Sequence, residues 1–162
     1  MRRAWCTVAA AAFAGVAWAQ DGEVAAEATA ATTYRVLVAC ESSDQVYHLS
    51  FDGSELAVDR VAQVGYQPTE IEGPHGLAVA LDGEHWYLSI AHGKPFGLVY
   101  KYRMEDDELV GETEVGMVPA TMEISPATGL LYVANFNLHG RMIPSSVSVV
   151  DPDAMVEVER VT

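Results

Sequence analysis

The chain has 162 residues, half of them hydrophobic, and a formal net charge of −14. A surface this acidic excludes nucleic acid and anionic lipid as partners, because both are held by Lys and Arg that neutralise phosphate. It suits solubility outside the cytoplasm and attracts cations.

Residues 1–19 read as a signal peptide. Arg2 and Arg3 form a short basic start, Ala4 to Val16 is an apolar run, and Ala17-Trp18-Ala19 supplies small residues where a signal peptidase reads. The run falls short of the about 20 apolar residues that cross a bilayer, and no later stretch reaches that length, so no membrane span is expected. Cleavage between Ala19 and Gln20 removes Cys6, leaves Cys40 alone and brings 7 basic against 23 acidic residues, a net −16. The expected location is periplasmic or extracellular. One cysteine makes no intrachain disulfide, so packing supplies the stability. Residues 20–33 form an Ala/Thr/Glu-rich tether with Val24 as its single branched aliphatic, too little apolar surface to fold on.

From Tyr34 the composition changes to short runs of Val, Leu, Ile and Tyr, punctuated by Asp52-Gly53, Asp82-Gly83 and Asp151-Pro152-Asp153. This pattern predicts an all-β domain over 34–162. The runs repeat. Pro74-His75-Gly76-Leu77-Ala78-Val79 leads to Trp86-Tyr87-Leu88-Ser89, and Pro119-Ala120-Thr121-Met122-Glu123-Ile124 leads to Leu131-Tyr132-Val133-Ala134. Pro74 and Pro119, and likewise Tyr87 and Tyr132, are 45 residues apart. Val36 to Ala39 matches the second half of this motif one repeat earlier. A third run recurs at Val46–Leu49, Val99–Tyr102 and Val147–Val150, and a fourth at Val58–Val61, Gly111–Val115 and Val158–Val161.

Four strands in a unit of about 45 residues is the arithmetic of a propeller blade. With strands labelled a to d from the inside out, the chain reads bcd, abcd, abcd: a partial blade at 34–73, a blade at 74–118 and a blade at 119–162. Val79, Leu88, Val99, Ile124, Val133 and Val149 are expected to be buried between sheets. A closed ring takes about four to eight blades. The expectation is therefore the N-terminal part of a longer reading frame whose downstream blades complete the ring.

Leu131-Tyr132-Val133-Ala134-Asn135, followed by Ser146-Val147-Ser148-Val149-Val150-Asp151, resembles the YVTN-repeat β-propeller family, and Pro74 to Gly83 resembles that family's opening strand. The resemblance implies a propeller of extracytoplasmic type, usually with seven blades. It implies little about function, since propellers serve as binding modules, scaffolds and enzymes.

No nucleophile elbow, phosphate loop, dinucleotide fingerprint or Cys-x-x-Cys-His haem site is present. Glu70, Glu72, Asp106, Asp107 and Glu108 read as solvated loop acids, Cys40 as a small buried thiol, and Trp86, Tyr87 and Tyr132 as packing residues. Surface roles suffice for His48 and His85. His75, His92 and His139 stand apart because each precedes a glycine. Chain direction alternates within a blade, so all three are expected on one face, where imidazoles suit a copper or zinc ion. A polar binding rim is the other use for them. No cofactor is required by any motif. Three functions follow: a binding or scaffold module of the cell envelope, taking an unidentified protein or small molecule; a metal- or haem-bearing redox propeller, like nitrous oxide or nitrite reductase in fold; and a propeller-type lactonase. The first, without catalysis, fits the sequence best.

Overall fold

The computed structural model describes residues 32–67, 69–92, 97–138 and 144–162. The expected signal peptide, nearly all of the tether, and His139 lie outside the described residues. Among the described residues eleven strands follow one another: β1 (Tyr34–Cys40), β2 (Gln45–Phe51), β3 (Leu56–Gln63), β4 (Pro74–Val79), β5 (His85–Ile90), β6 (Leu98–Arg103), β7 (Leu109–Glu114), β8 (Pro119–Ile124), β9 (Leu131–Asn135), β10 (Ser146–Asp151) and β11 (Val156–Val161). They make three antiparallel sheets of three, four and four strands, in the orders β1-β2-β3, β4-β5-β6-β7 and β8-β9-β10-β11. This is the all-β partial propeller that the repeats predict. Among the described residues no helix is long and apolar enough to cross a membrane.

Strand period explains how the sheets stack. Successive side chains point to opposite faces, so each strand presents one set of residues to the sheet before it and another to the sheet after it. Leu37 and Ala39 of β1 face forward and pack with Val46 and Ala62 against Trp86, Leu88 and Ile90 of β5. Tyr87 faces the other way and packs with Val99 against Met122, Ile124, Leu131 and Val133. All six side chains expected in the core are there except Val79, which is partly buried and packs against its margin. Tyr132 departs from expectation: it repeats Tyr87, yet it faces forward from the last sheet and is exposed.

Likeness among the units extends to irregularities. Each pairing of a c strand with a d strand carries a register shift, at His48/Leu49, Lys101/Tyr102 and Val149/Val150. These are the same two positions of the repeat. The innermost pairs match as well, with Pro74 opposite Ile90 and Pro119 opposite Asn135, followed by a bulge.

Outer hairpins close on aspartates. Asp52 accepts the backbone N–H groups of Ser54 and Glu55, both at 2.8 Å, and Asp151 accepts those of Asp153 and Ala154. These bonds to the ionised form hold both carboxyls below the usual carboxylate range.

Candidate functional site

The face where each second strand turns into the third also receives the connection that enters the next sheet. Asp44 organises this face between the first two sheets. It sits in the turn after β1 with a φ of 48° and is buried. Its carboxylate accepts the backbone N–H of Glu72 at 3.1 Å and of Gly73 at 3.0 Å, while its carbonyl accepts that of Val64 at 2.8 Å. One residue thus fixes both ends of the connection from β3 to β4. Glu72 is buried too, and its carboxylate accepts the N–H of Tyr66. The expectation of a solvated Glu72 is therefore corrected: its loop folds inward onto Asp44.

Backbone bonds then carry His92 to the same place. Its N–H donates to the Glu72 carbonyl at 2.8 Å, and that of Ala91 donates to the Gly73 carbonyl at 3.1 Å. Gly73 adopts a φ of 69°, and a Cβ there would stand 2.5 Å from the His92 ring, so glycine is needed both for the turn and for the imidazole above it. Glu41, the first residue after β1, closes the group. His92 Nε2 lies 3.4 Å from Glu41 Oε1, and His75 Nε2 lies 3.9 Å from Glu41 Oε2. All three side chains are about one-third exposed (28% for His75, 36% for His92, 38% for Glu41), so a ligand has access to them.

The structure therefore brings His75 and His92 to one carboxylate, from the second sheet onto the first. His139 is outside the described residues. Among the described residues no three His, Cys, Asp or Glu side chains stand close enough together to hold a metal ion as they are. What the trio offers is one anionic acceptor between two imidazoles, each able to donate or accept a hydrogen bond.

Gly76 answers to a different neighbour than His75. A Cβ on Gly76 would fall 1.7 Å from the Ala120 carbonyl oxygen of β8. Its N–H donates to Ser89 Oγ at 2.7 Å, and Ser89 in turn donates to that same carbonyl at 2.9 Å. The glycine is thus demanded by the contact between innermost strands.

A second polar cluster, half-buried, joins the first two sheets on the outer side. Asp107 receives Arg60 through Nε at 2.7 Å and Nη2 at 3.0 Å, and Trp86 Nε1 at 3.1 Å. His48 Nε2 stands 3.0 Å from Asp107 Oδ1 without the alignment of a hydrogen bond, edge-on to Trp86. Burial pushes the His48 imidazole below its ordinary value, opposed in part by the Asp107 charge. Surface roles for His48 and Asp107 are therefore corrected, since the inward turn between β6 and β7 places Asp107 against the first sheet. Cys40 is buried, as expected.

No protein-family model and no curated protein matches the chain. Solved structures do. The hydrazine synthase of Kuenenia stuttgartiensis is similar with a TM-score of 0.62 and 22% identity, over 79% of this chain and 32% of that one. Saccharomyces cerevisiae Sqt1 gives 0.60 and 8% over 79% and 31%, and the Pseudomonas aeruginosa periplasmic gluconolactonase PpgL gives 0.58 and 21% over 81% and 38%. At these identities the likeness shows the fold, a β-propeller, and nothing of the chemistry. The chain spans about a third of the length of each of these proteins.

Proposed function

We propose that this chain belongs to an exported propeller of the YVTN type that acts as a binding module of the cell envelope, with further sheets completing the ring. Its ligand-contacting face is the one that carries Glu41, His75 and His92. The observation behind this reading is the meeting of two accessible imidazoles at one carboxylate, supplied by two different sheets and braced from beneath by Asp44. Such a group recognises hydroxyl, amide or cationic atoms through hydrogen bonds and charge, in the manner of a few polar groups fixing a ligand in a cleft. A thermal-shift screen of small polar molecules and cations tests it. A ligand that raises the melting temperature of the protein and loses that effect in Glu41→Gln supports the face assigned. Ligands that stabilise Glu41→Gln and a His75→Ala/His92→Ala double variant as much as the original protein overturn it.

A second reading takes the same donors as ligands of a copper or zinc ion. Two imidazoles and a carboxylate suit either metal, and His139 is the further donor the sequence offers. Calorimetric titration of Cu(II) and Zn(II) separates the two readings, since a stoichiometric site that is lost with His75 and His92 requires the metal. The lactonase reading draws on the similar fold of a gluconolactonase alone. Turnover of sugar lactones that disappears in Glu41→Gln would displace the binding-module reading in its favour.

A further inference from the structure

The connection from β3 to β4 is longer than its counterpart from β7 to β8. Val64-Gly65 and Val115-Gly116 hold the same place in the repeat, yet Pro74 comes ten positions after Val64 and Pro119 four positions after Val115. In a repeat architecture an insertion confined to one unit falls in a surface loop, commonly on the binding face. This one lies on the face of Glu41, His75 and His92, and side chains hold it in shape. The Asp44 carboxylate accepts the N–H groups of Glu72 and Gly73, and the Glu72 carboxylate accepts that of Tyr66.

The loop borders a cavity of about 390 Å³, with Asp44, Gln63, Tyr66, Glu70 and Ile71 among its walls. Two kinds of surface meet there. Tyr66 and Ile71 are 67% and 60% exposed, apolar area that the fold leaves uncovered. Asp44 and Glu70 share the cavity with them, and the Glu72 carboxylate stands behind Gly65, 3.0 Å from where a Cβ would be. None of these three acids has an ion-pair partner among the described residues. The Lys and Arg among the described residues all lie in strands, away from this loop.

We propose that this cavity receives a lysine or arginine side chain of a partner protein, its aliphatic stem on Tyr66 and Ile71 and its charged head towards Asp44 and Glu70. The inference deepens the binding-module reading and rests on it for the choice of face. Long basic side chains join an apolar stem to a cationic end, which is the combination these walls match. The tyrosine ring adds attraction for the cation. A protein supplies the side chain, because the apolar surface continues beyond the reach of a small molecule. Phe136 and Leu138, which follow β9 in the third sheet, are exposed on the same face. At about 10 Å per sheet they stand about 15–20 Å from the cavity. Among the described residues the connections of the opposite face expose one large apolar side chain, Leu81. Apolar side chains gathered on one face around a polar pocket mark a surface that meets another protein.

The probe is the peptide Gly-Leu-Arg-Leu-Gly, amidated and carrying a neutral coumarin at its N-terminus, titrated into the protein and read by fluorescence anisotropy. Saturable binding is expected. Exchanging its arginine for citrulline keeps the shape and removes the charge, and should weaken binding about tenfold or more, the equivalent of at least about 1.4 kcal/mol. Glu70→Lys and a Tyr66→Ser/Ile71→Ser double variant should each weaken it similarly. All three positions are exposed, so both variants keep the fold, which circular dichroism checks. Glu55→Lys makes the same change of net charge on the opposite face and should leave binding nearly unaltered. Citrulline peptide that binds as well as the original, or Glu55→Lys that acts as strongly as Glu70→Lys, overturns the inference. So does arginine methyl ester that binds as tightly as the peptide, since the ligand is then a small cation. Glu41→Gln keeps the inference apart from the reading beneath it. Binding that falls in Glu41→Gln but ignores Glu70→Lys and the double variant overturns this cavity and spares the face. No saturable binding of the peptide overturns the partner class, and the thermal-shift screen then judges the face by itself.

Discussion

Replacing Asp107 with alanine should destabilise the chain by about 3 kcal/mol. The carboxylate is 12% exposed and receives two nitrogens of Arg60 and the Trp86 indole N–H. Removing it strands the indole N–H in a buried setting, at a cost of about 1 kcal/mol. It also dissolves a bidentate, charge-assisted pair. A fully buried pair broken from one side costs about 3–5 kcal/mol, but Arg60 is 37% exposed and keeps the Met104 and Glu105 carbonyls, so about 2 kcal/mol is the fitting share. Against a total stability of about 5–15 kcal/mol this is a large loss. In protein lacking residues 1–19, Trp86 is the sole tryptophan, so its fluorescence reports the site itself. With a urea dependence of about 2 kcal/mol per molar, the unfolding midpoint should fall by about 1.5 M. Asp106→Ala is the neighbouring control, since Asp106 is exposed and binds Arg103 at the surface. It should move the midpoint far less. Equal shifts for the two variants, or a shift for Asp107→Ala under about 0.3 M, would refute the assignment of Asp107 as the clasp between the sheets.

The imidazole of His48 gives stability a pH dependence. Its value is lowered in the folded protein from the usual 6.5, so below that pH the unfolded chain takes up the proton first and stability declines as pH falls. Urea midpoints at pH 7.5 and 5.5 should show the decline, and His48→Gln should reduce it; an unchanged slope counts against a buried neutral imidazole. Gly76→Ala pushes a methyl into the Ala120 carbonyl and should cost about 3 kcal/mol or prevent folding, read as melting temperature and soluble yield. An unaltered melt means the innermost strands are farther apart than described. Burial raises Tyr87 and Tyr100 to about 12 and Tyr102 further still, so ultraviolet titration should find three phenols ionising well after the exposed ones. A single transition near pH 10 contradicts their placement.

The strand plan was legible because a side-chain period of two and a repeat of 45 residues are both written in apolar residues. His75 and His92 were legible through their glycines, although Gly76 turns out to serve the Ala120 carbonyl. Glu41 was missed, because a carboxylate in a turn has no period. A trace existed: the equivalent places in the other units hold apolar Ala91 and Phe136, so a charge there breaks the repeat. Asp44 was missed as well, and Glu72 and Asp107 read as surface acids because acidity on a loop signals solvent by default. Whether a loop folds inward depends on backbone donors such as the N–H groups of Glu72 and Gly73, which composition does not reveal. His48 is buried by Asp107, a residue 59 positions away, so no local pattern announces it.

The register shift shared by the three units has a geometrical consequence. A bulge puts two residues against one and sharpens the right-handed coil of the strand that bears it. Placed between the c and d strands, at His48/Leu49, Lys101/Tyr102 and Val149/Val150, it splays the outer rim of the three described sheets in the same sense. Each unit becomes a wedge of the same taper, and equal wedges laid side by side trace a circular arc whose radius follows from the taper. The extra residue on the rim thus acts as a gauge of curvature. Deleting it from one unit would flatten one wedge and open the arc at that point, while deleting it from all three would change how many units the full circle holds.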